Sequence, residues 1–164
     1  MKEKKIQVEI NGKHYEREVD ARRLLSDFIR EDLGLHGTHV GCEHGICGAC
    51  TIQWDGKVIR SCLIFAIQTD GARLRTVEGL APDDDELHPI QQAFTEAHGL
   101  QCGYCTPGIL MTVQALLHEN PHPTEDDIRD GLSGNLCRCT GYQNIVKAVL
   151  LAAEKLQSSG ARTP

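Results

Sequence analysis

A chain of 164 residues is long enough for one domain or for two small ones. Seventeen basic and 23 acidic residues give a net charge of -6, which makes nucleic acid and anionic membrane surfaces poor electrostatic partners. No apolar run reaches the roughly 20 residues of a membrane span, and the basic start lacks the apolar core of a signal peptide, so we expect a cytoplasmic protein.

The N-terminal half is predicted to be a small β-grasp-like sheet that holds one helix. Apolar and polar residues alternate on either side of Asn11-Gly12, which predicts a β-hairpin with a type I′ turn. Apolar residues at helical spacing follow, and then a Gly-rich loop runs from Leu35 to Ala49. The predicted elements are the strands Lys4–Ile10 and His14–Val19, the helix Leu24–Leu33, and the strands Thr51–Trp54, Lys57–Ile59 and Arg73–Val77.

The C-terminal half is predicted to be helical. The acidic segment Leu80–Glu86 contains a proline and lacks a hydrophobic period, so it is the best linker candidate and divides the chain into domains 1–79 and 80–164. Thr106 is predicted to cap one helix, with Pro107 in its first turn, and Thr124 to open a capping box. The predicted helices are Pro89–His98, Thr106–Glu119, Thr124–Leu132 and Ile145–Leu156, which makes the fold class α+β.

Eight cysteines stand in a chain with only three Phe, one Trp and three Tyr. In the cytosol clustered cysteines usually bind metal, and metal binding adds folding free energy that a small core does not supply. The first four have the spacing C-x4-C-x2-C, followed after eleven residues by the fourth, which is typical of plant-type [2Fe-2S] ferredoxins. These residues are Cys42, Cys47, Cys50 and Cys62.

Glycines in the first cysteine loop favour a cluster with anionic sulfides, because they permit positive φ angles that aim N–H groups inward. They are Gly37, Gly41, Gly45 and Gly48. A zinc site and disulfides are weaker alternatives, since zinc sites usually take two separate pairs of ligands and cytosolic thiols stay reduced. A Rieske centre lacks its second histidine, so His36, His39 and His44 are interpreted as loop or surface residues.

The second set comprises Cys102, Cys105, Cys137 and Cys139. The first two precede the helix that is predicted to begin at Thr106, where N-terminal amides favour a negatively charged cluster. The other two lie between two predicted helices. Two loops at helix ends could therefore clamp one cluster within a helical bundle.

Three segments carry a resemblance to a known family. They are Gly41–Thr51 (GCEHGICGACT), Gln101–Gly108 (QCGYCTPG) and Gly134–Tyr142 (GNLCRCTGY). From Lys5 to Lys155 the chain resembles the iron–sulfur subunit of the xanthine oxidase family of molybdenum hydroxylases, and most closely the separate small subunit of bacterial enzymes of the aerobic carbon monoxide dehydrogenase type.

The resemblance implies a plant-type ferredoxin-like β-grasp domain and a four-helix [2Fe-2S]-binding domain. It further implies a molybdopterin-binding large subunit and an FAD-binding medium subunit, arranged as a dimer of heterotrimers. Electrons would pass from molybdenum through both clusters to FAD. Gln101 and Cys139 match positions that contact the pterin, although by spacing alone Gln101 is a surface amide beside a cluster ligand.

Other functions stay open from the residues alone. No G-x-G-x-x-G after a strand, P-loop, H-E-x-x-H or credible Ser/His/Asp set is present, so no catalytic residue is predicted and substrate choice would belong to the large subunit. A freestanding two-cluster electron carrier is one alternative. A simple soluble ferredoxin would explain the first cysteine motif but not the C-terminal half of the chain. A zinc-binding interaction module is another, but it does not explain the loop glycines.

Overall fold

A computed structural model of the chain describes residues 3–81 and 86–159. The strands are β1 (Glu3–Ile10), β2 (Lys13–Asp20), β3 (Thr51–Trp54), β4 (Lys57–Arg60) and β5 (Arg73–Arg75). The α-helices are α1 (Leu25–Asp27), α2 (Pro89–Glu96), α3 (Thr106–Glu119), α4 (Glu125–Gly131) and α5 (Gln143–Ser159). Short 3₁₀ turns lie at Ser61–Leu63, Ala66–Thr69 and Val77–Gly79. Among the described residues, no helix has the length and apolar character needed to cross a membrane.

The five strands form one sheet in the order β2-β1-β5-β3-β4. β1 pairs with β2 and β3 with β4 as antiparallel hairpins, while β5 lies between them, parallel to β1 and antiparallel to β3. Both hairpin turns have positive φ at both central residues, 54° and 76° at Asn11-Gly12 and 47° and 82° at Asp55-Gly56. These values confirm the predicted type I′ turn at Asn11-Gly12 and show that Asp55-Gly56 also has positive φ at both positions.

The predicted N-terminal helix is present, but it is shorter and of mixed type. After α1 the chain continues as a π-helical turn, Phe28–Asp32, closed by the Leu33 N–H donating to the Phe28 carbonyl at 3.1 Å. The segment packs its buried side chains on the sheet and so completes the N-terminal core. That core comprises Ile6, Val8, Ile10, Val19, Leu25, Phe28, Ile29, Ile52, Ala66, Ala72 and Leu74.

The last strand was predicted to reach Val77 but ends at Arg75. The side chain of Asn11 accepts a hydrogen bond from the Thr76 N–H at 2.9 Å and donates one to the Thr76 hydroxyl at 2.9 Å. Thr76 is therefore held by a side chain rather than by a neighbouring strand, and the chain turns into Val77–Gly79.

Four helices enclose the second core, as predicted. Its largest fully buried members include Ile90, Phe94, Ile109, Ile128 and Ile145. Helix α5 begins before and ends after the predicted Ile145–Leu156 because polar residues at both ends continue the helix without contributing to the apolar period. Leu80 also packs in this core, whereas residues 82–85 of the predicted linker lie outside the described residues.

One predicted cap is confirmed and one is wrong. Thr124 caps α4 by accepting from the Asp127 N–H at 3.2 Å, while Asp127 accepts from the Thr124 N–H at 2.8 Å. Thr106, however, is the first residue of α3, and Cys105 occupies the N-cap position. The Thr106 N–H donates to the Gly103 carbonyl at 3.1 Å, so the chain has already turned before Thr106 and the cap falls one residue earlier.

Candidate metal centres

The first cysteine set is gathered by a curled loop and a hairpin. Cys42 and Cys47 lie in the loop before β3, where Glu43, Gly45 and Gly48 have φ angles of 55°, 75° and 73°. Cys50 stands just before β3 and Cys62 just after β4. Since β3 pairs with β4, the hairpin places these two cysteines side by side, and the Ser61 N–H donates to the Cys50 carbonyl at 3.3 Å.

The loop stabilises negative charge on its first thiol. Backbone N–H groups of Cys47 and His44 each donate to Cys42 Sγ at 3.4 Å, and these bonds lower the pKa of Cys42 to about 6. The opposite holds at the hairpin end, where burial and the neighbouring Cys50 thiol raise the pKa of Cys62 to about 11. A cationic partner beside Cys62 would offset the burial that disfavours its thiolate.

The second cysteine set lies where two loops of the helical domain meet. Cys102 and Cys105 precede α3, and Cys137 and Cys139 lie between α4 and α5. Cys102 Sγ and Cys139 Sγ are 3.5 Å apart, while Cys105 neighbours the Cys137 thiol. Tyr142 shapes the second loop, because its hydroxyl accepts from the Cys137 N–H at 2.8 Å and donates to the Asn135 carbonyl at 3.0 Å.

The thiols of the second set also differ in acidity. Burial, with the Cys137 thiol beside it, raises the pKa of Cys105 to about 12. The Tyr104 N–H and the Cys139 thiol lower the pKa of Cys102. Burial opposes ionisation of Cys137, yet hydrogen bonds from Thr140 and the Cys139 backbone outweigh it and lower the pKa.

The two sets differ in their exposure. Cys50 and Cys62 are only 2 % and 4 % exposed, within the N-terminal domain. In contrast, Cys102 and Cys139 are exposed, and so is Gln101, which directly precedes Cys102. One edge of the helical-domain set therefore opens to the surface, whereas the hairpin edge of the first set is enclosed.

The donor chemistry fits a two-iron cluster in each set. A [2Fe-2S] cluster takes four thiolates, two on each iron. The first set consists of the neighbouring pairs Cys42/Cys47 and Cys50/Cys62. The second consists of Cys102/Cys139 and Cys105/Cys137. Among residues 3–81 and 86–159, no three or more His, Cys, Asp or Glu side chains are arranged to hold one metal ion.

Two of the three loop histidines lie at the protein surface, and the third stacks on a tyrosine in the loop of the second cysteine set. His36 and His44 are exposed. His39 stacks on Tyr104 with ring centroids 4.8 Å apart, and its Nδ1 lies 2.8 Å from the Tyr104 carbonyl. The interpretation of all three as loop or surface residues agrees with these positions.

The sequence did not identify the residues that bind the two sets together. The Leu136 N–H donates to the Cys47 carbonyl at 2.8 Å, and the buried Asn135 side chain donates to the Gly48 carbonyl at 3.1 Å. Arg60 Nη2 donates to the Gly134 carbonyl at 2.7 Å, and the Tyr104 hydroxyl donates to the Val40 carbonyl at 2.7 Å. Asn135 lies within the third motif, but nothing in its local sequence indicates a partner in the other domain.

Two family models match consecutive parts of the chain. Residues 8–81 match a "2Fe-2S iron-sulfur cluster binding domain", and residues 76–150 match a "[2Fe-2S] binding domain". These matches show that the chain contains two [2Fe-2S]-binding domains in the predicted order. They also confirm the predicted α+β fold class.

Relatives with known roles are similar over most of their length. The chain is 57 % identical to caffeine dehydrogenase subunit gamma of Pseudomonas sp. (strain CBB1), covering 88 % of this chain and 87 % of the relative. It is 55 % identical to the nicotine 6-hydroxylase small subunit of Paenarthrobacter nicotinovorans, with coverage of 88 % and 87 %.

Solved structures of similar proteins have the same fold. A chain of quinoline 2-oxidoreductase from Pseudomonas putida 86 is 45 % identical and superimposes with a TM-score of 0.92, covering 97 % of this chain and 99 % of that chain. Aldehyde oxidoreductase from Desulfovibrio gigas is 41 % identical with a TM-score of 0.88, but the match covers only 18 % of its longer chain. What stands as a separate chain in one protein is thus part of a larger chain in the other.

Proposed function

We infer that this chain, which belongs to the two-cluster iron–sulfur subunits of the xanthine oxidase family, carries electrons from a molybdopterin-binding large subunit to an FAD-binding medium subunit. The observation that carries this proposal is the convergence of all eight cysteines into two four-thiol sets, one in each [2Fe-2S]-binding domain. When bound, each cluster supplies the capacity to hold one electron. The chain itself contributes positioning, burial and hydrogen bonds.

We assign Cys42, Cys47, Cys50 and Cys62 as ligands of the N-terminal cluster and Cys102, Cys105, Cys137 and Cys139 as ligands of the other. The neighbouring thiol pairs support this assignment, since each iron requires two. Backbone N–H groups that donate to Cys42 Sγ stabilise the anionic ligand, and the Thr140 hydroxyl lies 3.2 Å from Cys137 Sγ. Such hydrogen bonds tune the reduction potential of a cluster.

The exposed edge of the helical-domain set is proposed to face the molybdopterin. Cys139 offers an exposed sulfur there, and Gln101 offers an exposed amide that can form hydrogen bonds to a pterin ring. The N-terminal set lies beside exposed apolar side chains, with Ile46 66 % and Leu63 60 % exposed. Such a surface favours contact with a protein, and the FAD-binding subunit is the proposed partner.

The complex is proposed to be a cytoplasmic dimer of heterotrimers. The relatives compared above are named as subunits of dehydrogenases or hydroxylases, which supports an assembly with partner chains. Those relatives are named for caffeine and nicotine, both nitrogen-containing molecules, and substrate choice would be made by the large subunit.

Metal and sulfide analysis of the purified complex tests the function directly. We expect about four iron and four acid-labile sulfide per chain, the content of two clusters. Molybdenum and flavin should co-purify with the chain. Zinc in place of iron and sulfide would refute the cluster assignment, and a monodisperse monomer with both clusters would instead indicate a freestanding electron carrier.

Substitution of Gln101 tests the proposed pterin contact. Gln101→Ala should leave both clusters assembled but slow their reduction by substrate, because an amide that positions the pterin is lost. Gln157→Ala removes an exposed glutamine at the far end of α5 and serves as the control. If substrate reduces the clusters of Gln101→Ala at the wild-type rate, Gln101 does not contact the pterin and is only a surface amide.

A further inference from the structure

We propose that Arg60 supplies a positive charge that both cluster sites share and that raises the reduction potentials of the two clusters together. This inference rests on the proposed function, because it takes the two cysteine sets as cluster ligands. It goes beyond that function by assigning a role in setting both potentials to a residue that is not a ligand. The Arg60 guanidinium is half-buried at the junction of the two domains and contacts a loop of each.

The pairing of β3 with β4 places Arg60 beside the first cysteine set. Arg60 lies directly opposite Thr51, and opposite residues of an antiparallel pair project from the same face of the sheet. Thr51 directly follows Cys50, and Arg60 stands two residues before Cys62. Arg60 Nη1 donates to the Thr51 hydroxyl at 2.7 Å, and that hydroxyl donates to the Gly48 carbonyl at 2.6 Å. The guanidinium is thus bound to the loop that carries the first set.

The same guanidinium also reaches the loop of the second cysteine set. Arg60 Nη2 donates to the carbonyl of Gly134, three residues before Cys137, at 2.7 Å. A Cβ atom on Gly134 would lie 2.5 Å from Nη2, so the guanidinium packs directly against this backbone. The planar fork of N–H donors in arginine allows one cation to bind acceptors in both loops at once.

The positive charge of Arg60 is not cancelled by the groups that it binds. Its two acceptors are a hydroxyl and a backbone carbonyl, and both are neutral. Arginine stays protonated throughout the physiological pH range. The adjoining Thr51 and Asn135 are only 2 % and 1 % exposed, so solvent screens this charge less than it screens that of an exposed arginine.

A positive charge at the junction favours the reduced state at both cluster sites. Reduction adds one electron to a site and moves no atoms, so each site becomes more negative by one charge. In the proposed function substrate oxidation in the large subunit supplies the electrons and the flavin accepts them. Attraction to Arg60 lowers the free energy of each reduced site relative to the oxidised one, which raises its reduction potential.

Removal of the charge from the purified complex tests this proposal. Arg60→Gln keeps a polar side chain with N–H donors but carries no charge. In a redox titration followed by EPR, both midpoint potentials should fall, and the ratio of reduced to oxidised cluster at a fixed ambient potential should fall several-fold. A tenfold fall corresponds to about 59 mV for a one-electron couple. The signal of the helical-domain cluster is decisive, because Arg60 belongs by sequence to the other domain.

Two variants separate the charge of Arg60 from its hydrogen bonds and from the net charge of the chain. Arg60→Lys keeps the charge but loses the fork of donors. Lys57→Gln removes an exposed positive charge roughly 10 Å away along the same strand. Both variants should keep midpoint potentials close to those of the wild type. An unchanged helical-domain potential in Arg60→Gln would overturn the inference, as would equal shifts in Arg60→Lys and Arg60→Gln.

Citrulline at position 60 covers the case in which Arg60→Gln fails to assemble. Introduced by nonsense suppression, citrulline has the shape of arginine and keeps N–H donors but is neutral. Both potentials should again fall, and wild-type potentials in the citrulline protein would overturn the inference. Absence of iron and sulfide from the wild-type complex would refute the proposed function itself, which is a separate outcome.

Discussion

Two glycines with positive φ angles, Gly48 and Gly56, differ in what surrounds them. Gly48 has φ of 73°, and a Cβ there would lie 2.3 Å from the Gly134 carbonyl oxygen. Gly56 has φ of 82°, yet a Cβ there would meet no atom within 4 Å. A side chain at Gly56 would therefore meet only the conformational cost of positive φ, whereas one at Gly48 would meet that cost and a steric clash.

Substitution of each glycine by alanine should give different losses of stability. Gly56→Ala should cost about 1 kcal/mol through its backbone conformation alone. Gly48→Ala should cost at least about 2 kcal/mol more, because the clash separates the two cluster loops. A lowering of Tm of roughly 2–4 °C per kcal/mol is expected for a chain of this size. Equal Tm values for the two variants would contradict the close approach at Gly48.

Individual cysteines should affect one cluster and spare the other. Cys105→Ala should remove one of two distinguishable [2Fe-2S] EPR signals and about half of the iron, because the remaining three thiolates cannot complete the ligand set. Cys50→Ala, the matched variant in the first set, should remove the other signal. EPR and iron analysis of both variants check the assignment, and loss of the same signal in both would refute the division into two sets.

Residue spacing predicted the two cysteine sets but not the environment of each thiol. The run from Cys42 to Cys50 is local, so its loop can be inferred from the sequence. The hydrogen bonds that lower the pKa of Cys42 and the burial that raises the pKa of Cys105 depend on folded geometry. Spacing carries no information on either effect.

At the scale of single elements, the local sequence predicted turns and helix caps correctly with one exception. Asn11-Gly12 adopts the predicted type I′ turn because asparagine and glycine both tolerate the positive φ that the turn requires, and Asp55-Gly56 joins its hairpin with the same signs of φ. Thr124 caps α4 as predicted, whereas Thr106 lies inside α3. A threonine before a helical pattern is thus a cap only if the chain has not already begun to turn. Here the turn begins earlier, because the Thr106 N–H donates to the Gly103 carbonyl.

The cap at Thr124 should contribute measurably to stability. Thr124→Ala removes the acceptor for the Asp127 N–H and should destabilise the protein by about 1 kcal/mol. Thr95→Ala is the control, since its hydroxyl donates only to the Gln91 carbonyl within its own helix. Thermal unfolding of both variants measures the difference. A Tm for Thr124→Ala as high as that of Thr95→Ala would mean that the cap contributes nothing.

The π-helical turn after α1 was not predictable from periodicity. Leu25, Phe28 and Ile29 fit an α-helical stripe, and all three are buried as that stripe requires. The change of hydrogen-bonding pattern at Phe28–Asp32 moves later side chains, and Arg23 binds Glu31 and Asp32 there at 2.7 and 2.8 Å. Tertiary contacts of this kind override a periodic pattern.

At the scale of the whole molecule, the junction between the sheet and the helices depends on polar groups. Helix α3 packs on β3, and Gln53 Nε2 donates to the Met111 carbonyl at 3.1 Å. Asn135 bonds to Gly48 and Thr112, which belong to different halves of the chain. Residues this distant in sequence give no local signal of their contact, so the two domains were predictable and their junction was not.

Removal of the Asn135 side chain should loosen that junction. Asn135→Ala removes two buried hydrogen bonds, to the Thr112 hydroxyl and to the Gly48 carbonyl, each worth about 0.5–1.5 kcal/mol. Neither group is left unsatisfied, since Thr112 also bonds to the Gly108 carbonyl and Gly48 also accepts from Thr51. Asn144→Ala is the control, since its amide makes a 3.4 Å contact with the His98 carbonyl. Differential scanning calorimetry should show a lower Tm only for Asn135→Ala. Coincident transitions in the two variants would show that Asn135 does not stabilise the junction.

The order of strands in the sheet determines when β1 can complete its pairing during synthesis on the ribosome. β1 pairs with β5, as in Glu9 with Arg73 and Ile10 with Leu74. One edge of β1 therefore stays unpaired until β5 has been synthesised. At roughly 5–20 residues per second this interval lasts several seconds, and an unpaired edge is prone to aggregation. All four thiols of the first set are synthesised before β5. The loop and the hairpin that carry these cysteines therefore emerge from the ribosome before the central strand of the sheet.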